Sequence, residues 1–253
     1  MAAIQSTRSR AEPVNYLIAA LAPADRSLIL PHLELCELAR GQVLFEPGDD
    51  VTHVHFPCNS TLVALVTIMR SGESAVAASI GREGAVGGVV SSGHLPAFGR
   101  AVVQTGGPAW RVRVSRLQDV KSRSITMRNL IARYADCLLA QVLESVACNA
   151  LHSLEARCAR WMLTCSDRTD SDVLPLTQEA LANMLGASRP YVSRALGLME
   201  DQGILVPGRG RITIVDRAKL EKVACECYTN VREHYETVLA GIYPDEDASE
   251  IAS

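Results

Sequence analysis

The segment from Leu176 to Val215 constrains the fold most, because it contains the signals of two short amphipathic helices followed directly by a hairpin. Thr177 is suited to cap a first helix that ends near Leu185. Gly186 follows where a tight turn between two helices favours positive φ. The apolar stripe of this first helix is formed by Leu181, Met184 and Leu185, with the small Ala182 where two helices approach closely.

A second helix is predicted to begin after Ser188, which we expect to be its N-cap. Pro190 is compatible with this start, because the first turn of a helix needs no intrahelical N–H there. Its predicted core face consists of Val192, Ala195, Leu196 and Met199. The remaining side chains of the first two turns are therefore expected on the solvent side.

Gly203 is expected to end the second helix, and a β-hairpin is predicted after it. Its strands are Ile204–Val206 and Ile212–Val215, joined by a turn over Pro207–Gly210. Helix, turn, helix and hairpin in this order are typical of a winged helix-turn-helix that enters the DNA major groove. The residues predicted to contact DNA are Thr177, Ser188, Arg189, Pro190, Tyr191, Ser193, Arg194 and, at the tip of the wing, Arg209.

This segment resembles the C-terminal domain of the Crp/Fnr superfamily of bacterial transcription regulators, whose second helix opens with a Ser-Arg-Glu-like stretch. Ser188, Arg189 and Arg194 match that pattern, whereas Pro190 stands where a base-reading Glu is common. Residues 148–163 and 211–228 also resemble a Crp-like subgroup common among alphaproteobacteria. The resemblance implies a homodimer on a roughly palindromic operator of double-stranded DNA, with RNA polymerase as a further partner, but not the family's best-known operator sequence.

The N-terminal half contains short β-branched stretches separated by Gly, Pro, Asn and Asp, which predicts an antiparallel roll or barrel. A helical cap over Leu17–Leu30 is expected before it, and residues 45–49 resemble the superfamily's turn into the roll. The predicted strands are Val43–Phe45, Val54–Phe56, Leu62–Ile68, Ala75–Ile80 and Ala101–Val103.

In cyclic-nucleotide-binding members of the superfamily, a Gly-Glu pair holds the ribose and an Arg-Ser pair neutralises the phosphate. Here Gly87 and Gly88 occupy the first position, and Arg100 is followed by alanine. These three residues are the candidate ligand site. Because the carboxylate and the serine are missing, the sequence favours another small effector, or none, over a cyclic nucleotide.

The remaining residues give no pattern for a cofactor, and none is predicted. Cys36 and Cys58 are isolated, which argues against an iron-sulfur cluster. Cys225 and Cys227 are expected on a helix, where a spacing of two points the thiols to different sides and favours structural cysteines over a metal site. His53 and His55 share one face of a predicted strand without a third ligand nearby in sequence. A heme, metal or redox sensor version of the same regulator stays open as an alternative.

A long helix is predicted from Ser115 or Met127 to Ala150, between the two halves. Its apolar spacing gives a coiled-coil-like seam and a second stripe on an adjacent face. One face is expected against the roll and the other against a second copy of the chain. The predicted dimer interface is Ile131, Ala135, Leu138, Val142 and Ser145, and the second stripe is Leu139, Leu143, Val146 and Ala150.

The sequence thus predicts an α+β chain with an antiparallel roll, a dimerisation helix and a winged helix-turn-helix. The expected divisions are residues 1–114 for the roll, 115–152 for the helix, 153–228 for the DNA-binding domain, and 229–253 for a C-terminal helix and acidic tail. Neither a signal peptide nor a membrane-length apolar run is present, so we expect a cytoplasmic protein with its eight cysteines reduced.

The function that follows is a sequence-specific regulator in which the roll senses a signal and the helix relays it. A ligand-independent dimeric DNA-binding or scaffold protein with a vestigial roll is the alternative. An enzyme is not expected, and no catalytic residue is predicted, because no serine stands in a nucleophile elbow and no glycine-rich segment ends in a phosphate-loop Lys-Ser/Thr.

Overall fold

The computed structural model describes residues 13–90, 94 and 96–240. The chain begins with two short helices, α1 (Tyr16–Ala19) and α2 (Pro23–Ile29), and a 3-10 turn over Leu30–His32. The Asn15 side chain caps α1 by accepting a hydrogen bond from the Ile18 N–H at 3.2 Å. The predicted helical cap over Leu17–Leu30 is therefore present, divided by the Pro23 that starts α2.

Within the described residues, seven strands follow in two antiparallel sheets, which confirms the roll. One sheet has the order β1-β7-β3 and the other the order β2-β6-β4-β5. The five predicted strands are all present, and β1 and β7 are two more that the sequence did not predict. Their bounds are Glu34–Leu38 for β1, Val43–Phe45 for β2, His53–Pro57 for β3, Leu62–Ile68 for β4, Ser74–Ile80 for β5, Arg100–Thr105 for β6 and Gly107–Arg113 for β7.

The predicted long helix is two helices, α3 (Val114–Arg123) and α4 (Ile125–Leu151). Ser124 separates them: its backbone is extended, and its hydroxyl accepts a hydrogen bond from the Met127 N–H at 3.0 Å. Because Ser124 caps α4, the helix that spans the molecule starts close to the second of the two predicted positions.

The C-terminal part folds as a small helical domain with a three-stranded sheet of order β8-β10-β9. The last helix turns back to pack along α4, where Tyr235 is 1% exposed and joins the cluster that also contains Tyr134. The elements are α5 (Leu154–Thr169), β8 (Val173–Leu174), α6 (Gln178–Leu185), α7 (Arg189–Asp201), β9 (Leu205–Gly208), β10 (Arg211–Ile214), α8 (Arg217–Val223) and α9 (Cys227–Val238). The predicted acidic tail after Tyr243 lies outside the described residues.

A buried ion pair connects the roll to this C-terminal domain. Arg168 of α5 and Glu83 of the loop after β5 are 3% and 1% exposed in their side chains, and Arg168 Nε lies 2.9 Å from Glu83 Oε1. Arg168 also donates to the Ser79 hydroxyl at 2.6 Å, to the Ser79 carbonyl, and to Gln141 Oε1 of α4 at 3.0 Å. The Arg168 guanidinium therefore connects the roll, α4 and the C-terminal domain.

The expectation that Cys225 and Cys227 lie on one helix is wrong. Helix α8 ends at Val223, Ala224 is extended, and α9 begins at Cys227. Because the backbone between the two helices is extended, the side chains of Cys225 and Cys227 are not held on different sides of one helix and can lie close together. No helix in the described ranges is both long enough and apolar enough to cross a membrane.

Candidate nucleic-acid interface

Helix α6 and the turn after it have the predicted local structure. The Thr177 hydroxyl accepts a hydrogen bond from the Ala180 N–H at 3.0 Å and so caps the helix. Gly186 has φ +58°, and the Ala187 N–H donates to the Ala182 carbonyl at 3.0 Å, which ends the helix in a left-handed turn. The buried residues of α6 are Leu181, Ala182, Met184 and Leu185.

Helix α7 follows at once and exposes the predicted reading surface. Pro190 lies in its first turn, and Ser188 holds the N-cap position with an extended backbone. The expectation that the Ser188 side chain caps the helix is wrong, because its hydroxyl accepts no hydrogen bond from the first turn. The predicted core face is buried in full, namely Val192, Ala195, Leu196 and Met199.

The exposed side of α7 is basic and amphipathic in its first two turns. Arg189 and Arg194 are exposed, and within the described residues neither forms an ion pair. Tyr191 between them is 67% exposed, and Ser193 is exposed on the same side. The acidic residues Glu200 and Asp201 lie in the last turn, away from this surface. The start of α7 therefore offers charged and hydrogen-bonding groups to a partner outside the chain.

The turn of the wing is shorter than predicted. Gly208 pairs with Arg211, so the loop is only Arg209-Gly210, with Gly210 at φ +74°. The predicted turn over Pro207–Gly210 began two residues too early, because Pro207 and Gly208 already pair in β9. Arg209 is exposed at the tip. The short strand β8, which pairs with β10 through Leu174 and Ile212, was not predicted.

The predicted dimer seam on α4 is partly occupied by the chain itself. Ile131 and Ser145 are 2% and 9% exposed, since this side of the helix packs inward. The second stripe is the exposed one: Leu139, Leu143 and Val146 are 57%, 61% and 65% exposed. Ile131 and Ser145 are therefore unavailable to a partner in this arrangement, while Ala135, Leu138 and Val142 are half-buried at its edge.

The candidate ligand residues of the roll contact different elements of the fold. Gly87 has φ +118°, and a Cβ there would overlap the His53 carbonyl oxygen of β3. Gly88 follows it, and its carbonyl accepts a hydrogen bond from Gln118 Nε2 at 3.4 Å. Arg100 lies on β6 in the other sheet, where its Nε donates to Glu46 at 2.8 Å. The close backbone approach at Gly87 gives this glycine a packing role.

His53 and His55 share one face of β3, as predicted, with ring centroids 6.5 Å apart. Burial, with His53 and Arg111 as further causes, lowers the pKa of His55 to about 4. His55 Nδ1 is buried without a hydrogen-bond partner among the described residues. The imidazole is therefore neutral near pH 7, and the pair gives the roll a polar face beside Arg111.

A cavity of about 310 Å³ lies between the roll and the C-terminal domain. Most of its wall is apolar and comes from β4, β5, β6, α5 and α6. Arg40, Arg100, Gln104 and Trp161 also line it, and Gln104 Oε1 and Trp161 Nε1 are themselves buried with no hydrogen-bond partner in the described chain. The sequence did not predict this cavity, since its residues come from segments far apart in the chain.

Residues 156–223 match the family model of the Crp-like helix-turn-helix domain. No curated protein sequence matches the chain. Among solved structures, FixK2 from Bradyrhizobium japonicum is 16% identical with a TM-score of 0.65, over 76% of this chain and 98% of that one.

Two further structures have similar scores. A transcriptional regulator of the CRP family from Thermus thermophilus is 18% identical with a TM-score of 0.63, over 75% of this chain and 96% of that one. The c-di-GMP responsive global regulator CLP from Xanthomonas campestris is 16% identical with a TM-score of 0.62, over 76% and 99%. These two proteins are described as regulators. Residues 156–223 thus form a Crp-like helix-turn-helix domain, in a chain that has the fold of the Crp/Fnr regulators.

Proposed function

We propose that the protein is a dimeric, sequence-specific DNA-binding transcription regulator, whose affinity for DNA responds to a small effector. The observation that supports this most is the unpaired basic surface at the start of α7, on a Crp-like helix-turn-helix domain. Arg189 and Arg194 have the geometry to donate to base edges or phosphates, with Tyr191 and Ser193 beside them. Arg209 at the wing tip is placed for a backbone phosphate.

Pro190 gives this surface a different specificity from a reading helix with Glu at that position. A proline side chain has no donor or acceptor, so it contacts a base only through apolar atoms, as with the methyl group of thymine. The operator is therefore expected to differ from that of Glu-containing relatives at the base pair facing Pro190.

The exposed stripe of α4 is the surface we propose for the homodimer. Leu139, Leu143 and Val146 recur at intervals of four and three, which matches the seam of a parallel coiled coil. A two-fold axis along this seam would place two α7 helices for two half-sites about 34 Å apart, one turn of DNA. Such a regulator acts in the cytoplasm and contacts RNA polymerase from its operator.

We infer that the effector binds in the cavity between the roll and the C-terminal domain. A ligand there would contact both domains, so its affinity would depend on how they are placed relative to each other, as any allosteric effector requires. The mostly apolar wall, with Gln104 and Trp161 among its polar-bearing residues, fits a small, largely apolar molecule. Such a molecule is chemically unlike a cyclic nucleotide.

DNA-affinity sequencing of the purified chain tests the central claim, with binding constants then measured by fluorescence anisotropy. Sequence-selective peaks are expected, and Arg189→Ala should weaken operator binding by about 1–3 kcal/mol, roughly 5- to 150-fold. Arg70→Ala is the matched control, since Arg70 is exposed in the β4–β5 turn. Equal operator affinity of the Arg189→Ala and wild-type proteins would refute the assignment of the reading surface.

The dimer is tested by light scattering after size-exclusion chromatography. Leu143→Glu should give monomers at concentrations where the wild-type chain is dimeric, because two carboxylates would meet at the seam. Met69→Glu introduces the same charge at a residue that is 55% exposed and lies between β4 and β5, and it should stay dimeric. A dimeric Leu143→Glu protein would exclude this stripe.

The effector site is tested by measuring operator affinity with and without the small-molecule fraction of a cell extract. We expect a change in affinity that Gln104→Leu abolishes, because that variant removes a polar side chain from the lining of the cavity and keeps the apolar wall. Calorimetric titration with cyclic AMP and cyclic GMP should show no binding. An unchanged response in Gln104→Leu would place the effector elsewhere.

A further inference from the structure

Four potential metal ligands meet where α4 ends and where α8 gives way to α9. They are Cys148, His152, Cys225 and Cys227, and their ligand atoms all lie within 4.8 Å of one another. The three cysteines are buried, and His152 is partly buried. Only the break between α8 and α9 makes this possible, because it turns Cys225 and Cys227 toward α4.

Two of the distances are close to those of a tetrahedral metal site. The Sγ atoms of Cys148 and Cys225 are 3.5 Å apart, and Cys227 Sγ lies 3.5 Å from His152 Nδ1. With bonds of about 2.3 Å to sulfur and about 2.0–2.1 Å to nitrogen, neighbouring ligands of a tetrahedral zinc lie roughly 3.5–3.8 Å apart. An ion between the four atoms would draw together the pairs that are wider than this, the widest of which are within 4.8 Å.

The groups around the four ligands fit a metal as well. His152 directs Nδ1 toward the thiols, while its Nε2 lies 3.3 Å from the Glu226 carboxylate. Metal-binding histidines commonly donate their second N–H to a carboxylate in this way, which fixes the ring and the tautomer. Arg160 lies near Cys148 and Cys225, whereas Glu144 lies near Cys227. The positive charge of Arg160 would offset the excess negative charge of three thiolates on a divalent ion.

We propose that Cys148, His152, Cys225 and Cys227 bind one Zn²⁺ as a structural Cys3His site. The ion would connect the end of α4 to the segment between α8 and α9. One of its ligands, His152, immediately precedes Ser153, where the chain enters the DNA-binding domain. The site has four protein ligands and no open position, so its role is to fix the orientation of that domain, and it performs no chemistry. Binding releases the thiol protons to solvent and involves no electron transfer.

Metal content of the full-length chain tests the proposal independently of DNA binding. Protein made without a metal-binding tag and purified under anaerobic, reducing conditions without chelators should contain one zinc per chain by mass spectrometry of the elements. Cys225→Ser and Cys227→Ser should lose it. Cys158→Ser is the matched control, because Cys158 is equally buried in the same domain but outside the cluster, and it should keep the zinc.

Cobalt substitution keeps the proposal testable if a ligand variant fails to fold. The wild-type chain, freed of zinc and titrated with Co²⁺, should develop a thiolate-to-cobalt charge-transfer band and the intense visible bands of tetrahedral cobalt at one equivalent. A folded wild-type chain that contains no zinc and gives no such spectrum would overturn the proposal. A Cys148–Cys225 disulfide in protein purified under the reducing conditions would overturn it as well.

Discussion

Replacing Arg168 by alanine should destabilise the protein strongly, since the side chain of Glu83 is 1% exposed and loses the guanidinium that balances its charge. The carboxylate would keep the two hydrogen bonds from the Gly81 N–H, at 3.0 and 3.1 Å. Those bonds do not replace a guanidinium, and removing one partner of a buried ion pair costs about 3–5 kcal/mol. Gln141 and Ser79 would lose their bonds to Arg168 as well.

For a chain of this size, each kcal/mol lowers Tm by about 2–4 °C, so Arg168→Ala should melt roughly 6–20 °C below the wild type. Differential scanning calorimetry measures this decrease in Tm. Because Arg168 connects the roll to the C-terminal domain, the variant should also show two separate unfolding transitions. Arg111→Ala is the control: its ion pair with Glu34 is exposed at 45% and 63%, and should be worth less than about 1 kcal/mol.

The double variant Arg168→Met with Glu83→Gln tests whether the loss of stability is caused by the unpaired charge of Glu83. It should be more stable than Arg168→Met alone, because both charges are then gone and the methionine fills part of the space. If Arg168→Ala melts within about 2 °C of the wild type, or if the second substitution recovers nothing, the reasoning from the buried charge is refuted.

Thr177→Ala should cost about 1 kcal/mol of stability through the lost cap, whereas Ser188→Ala should stay within about 0.5 kcal/mol because the Ser188 hydroxyl does not cap α7. Urea unfolding of both variants checks this difference, and equal effects would contradict it. His55 is neutral in the folded state down to a pKa of about 4, while the unfolded chain takes up a proton near pH 6.5. Stability should therefore fall as pH drops from about 6.5 to 4, by about 3 kcal/mol in the limit. His55→Gln should flatten this part of the stability curve, and His234→Gln, which changes an exposed histidine of α9, should not.

The helix-turn-helix was predictable from the sequence because its signals are local. The Thr177 cap, the positive φ of Gly186 and the spacing of the buried residues of α7 each depend on a few neighbouring positions. Ser188 shows the limit of such reasoning. Ser188 has the residue type and the position of a cap. The orientation of its hydroxyl, however, depends on the surrounding structure, which the spacing of residues in the sequence does not describe.

The face of α4 that meets the roll was not predictable in the same way. The helix has two apolar stripes of equal spacing, and either is compatible with a buried or an exposed position. The structure places Ile131 inward because α4 is covered by the roll on one side and by α9, through Tyr235, on the next. Which stripe stays exposed is decided by contacts between distant parts of the chain. The cysteine cluster was missed for a related reason, since the break before Cys227 interrupts a segment whose spacing is that of one continuous helix.

The buried pair between Arg168 and Glu83 limits how an effector can act on this fold. A ligand that moved Arg168 away while Glu83 stayed buried would leave an uncompensated carboxylate, at a cost of about 3–5 kcal/mol. It would have to prefer the separated arrangement by roughly a hundredfold to a few thousandfold to compensate. A molecule in the cavity beside Gln104 and Trp161 touches both domains while they remain together, so it stabilises the joined arrangement instead. We therefore expect the effector to tighten this contact and shift α7 by a small rotation, with the ion pair intact in both states.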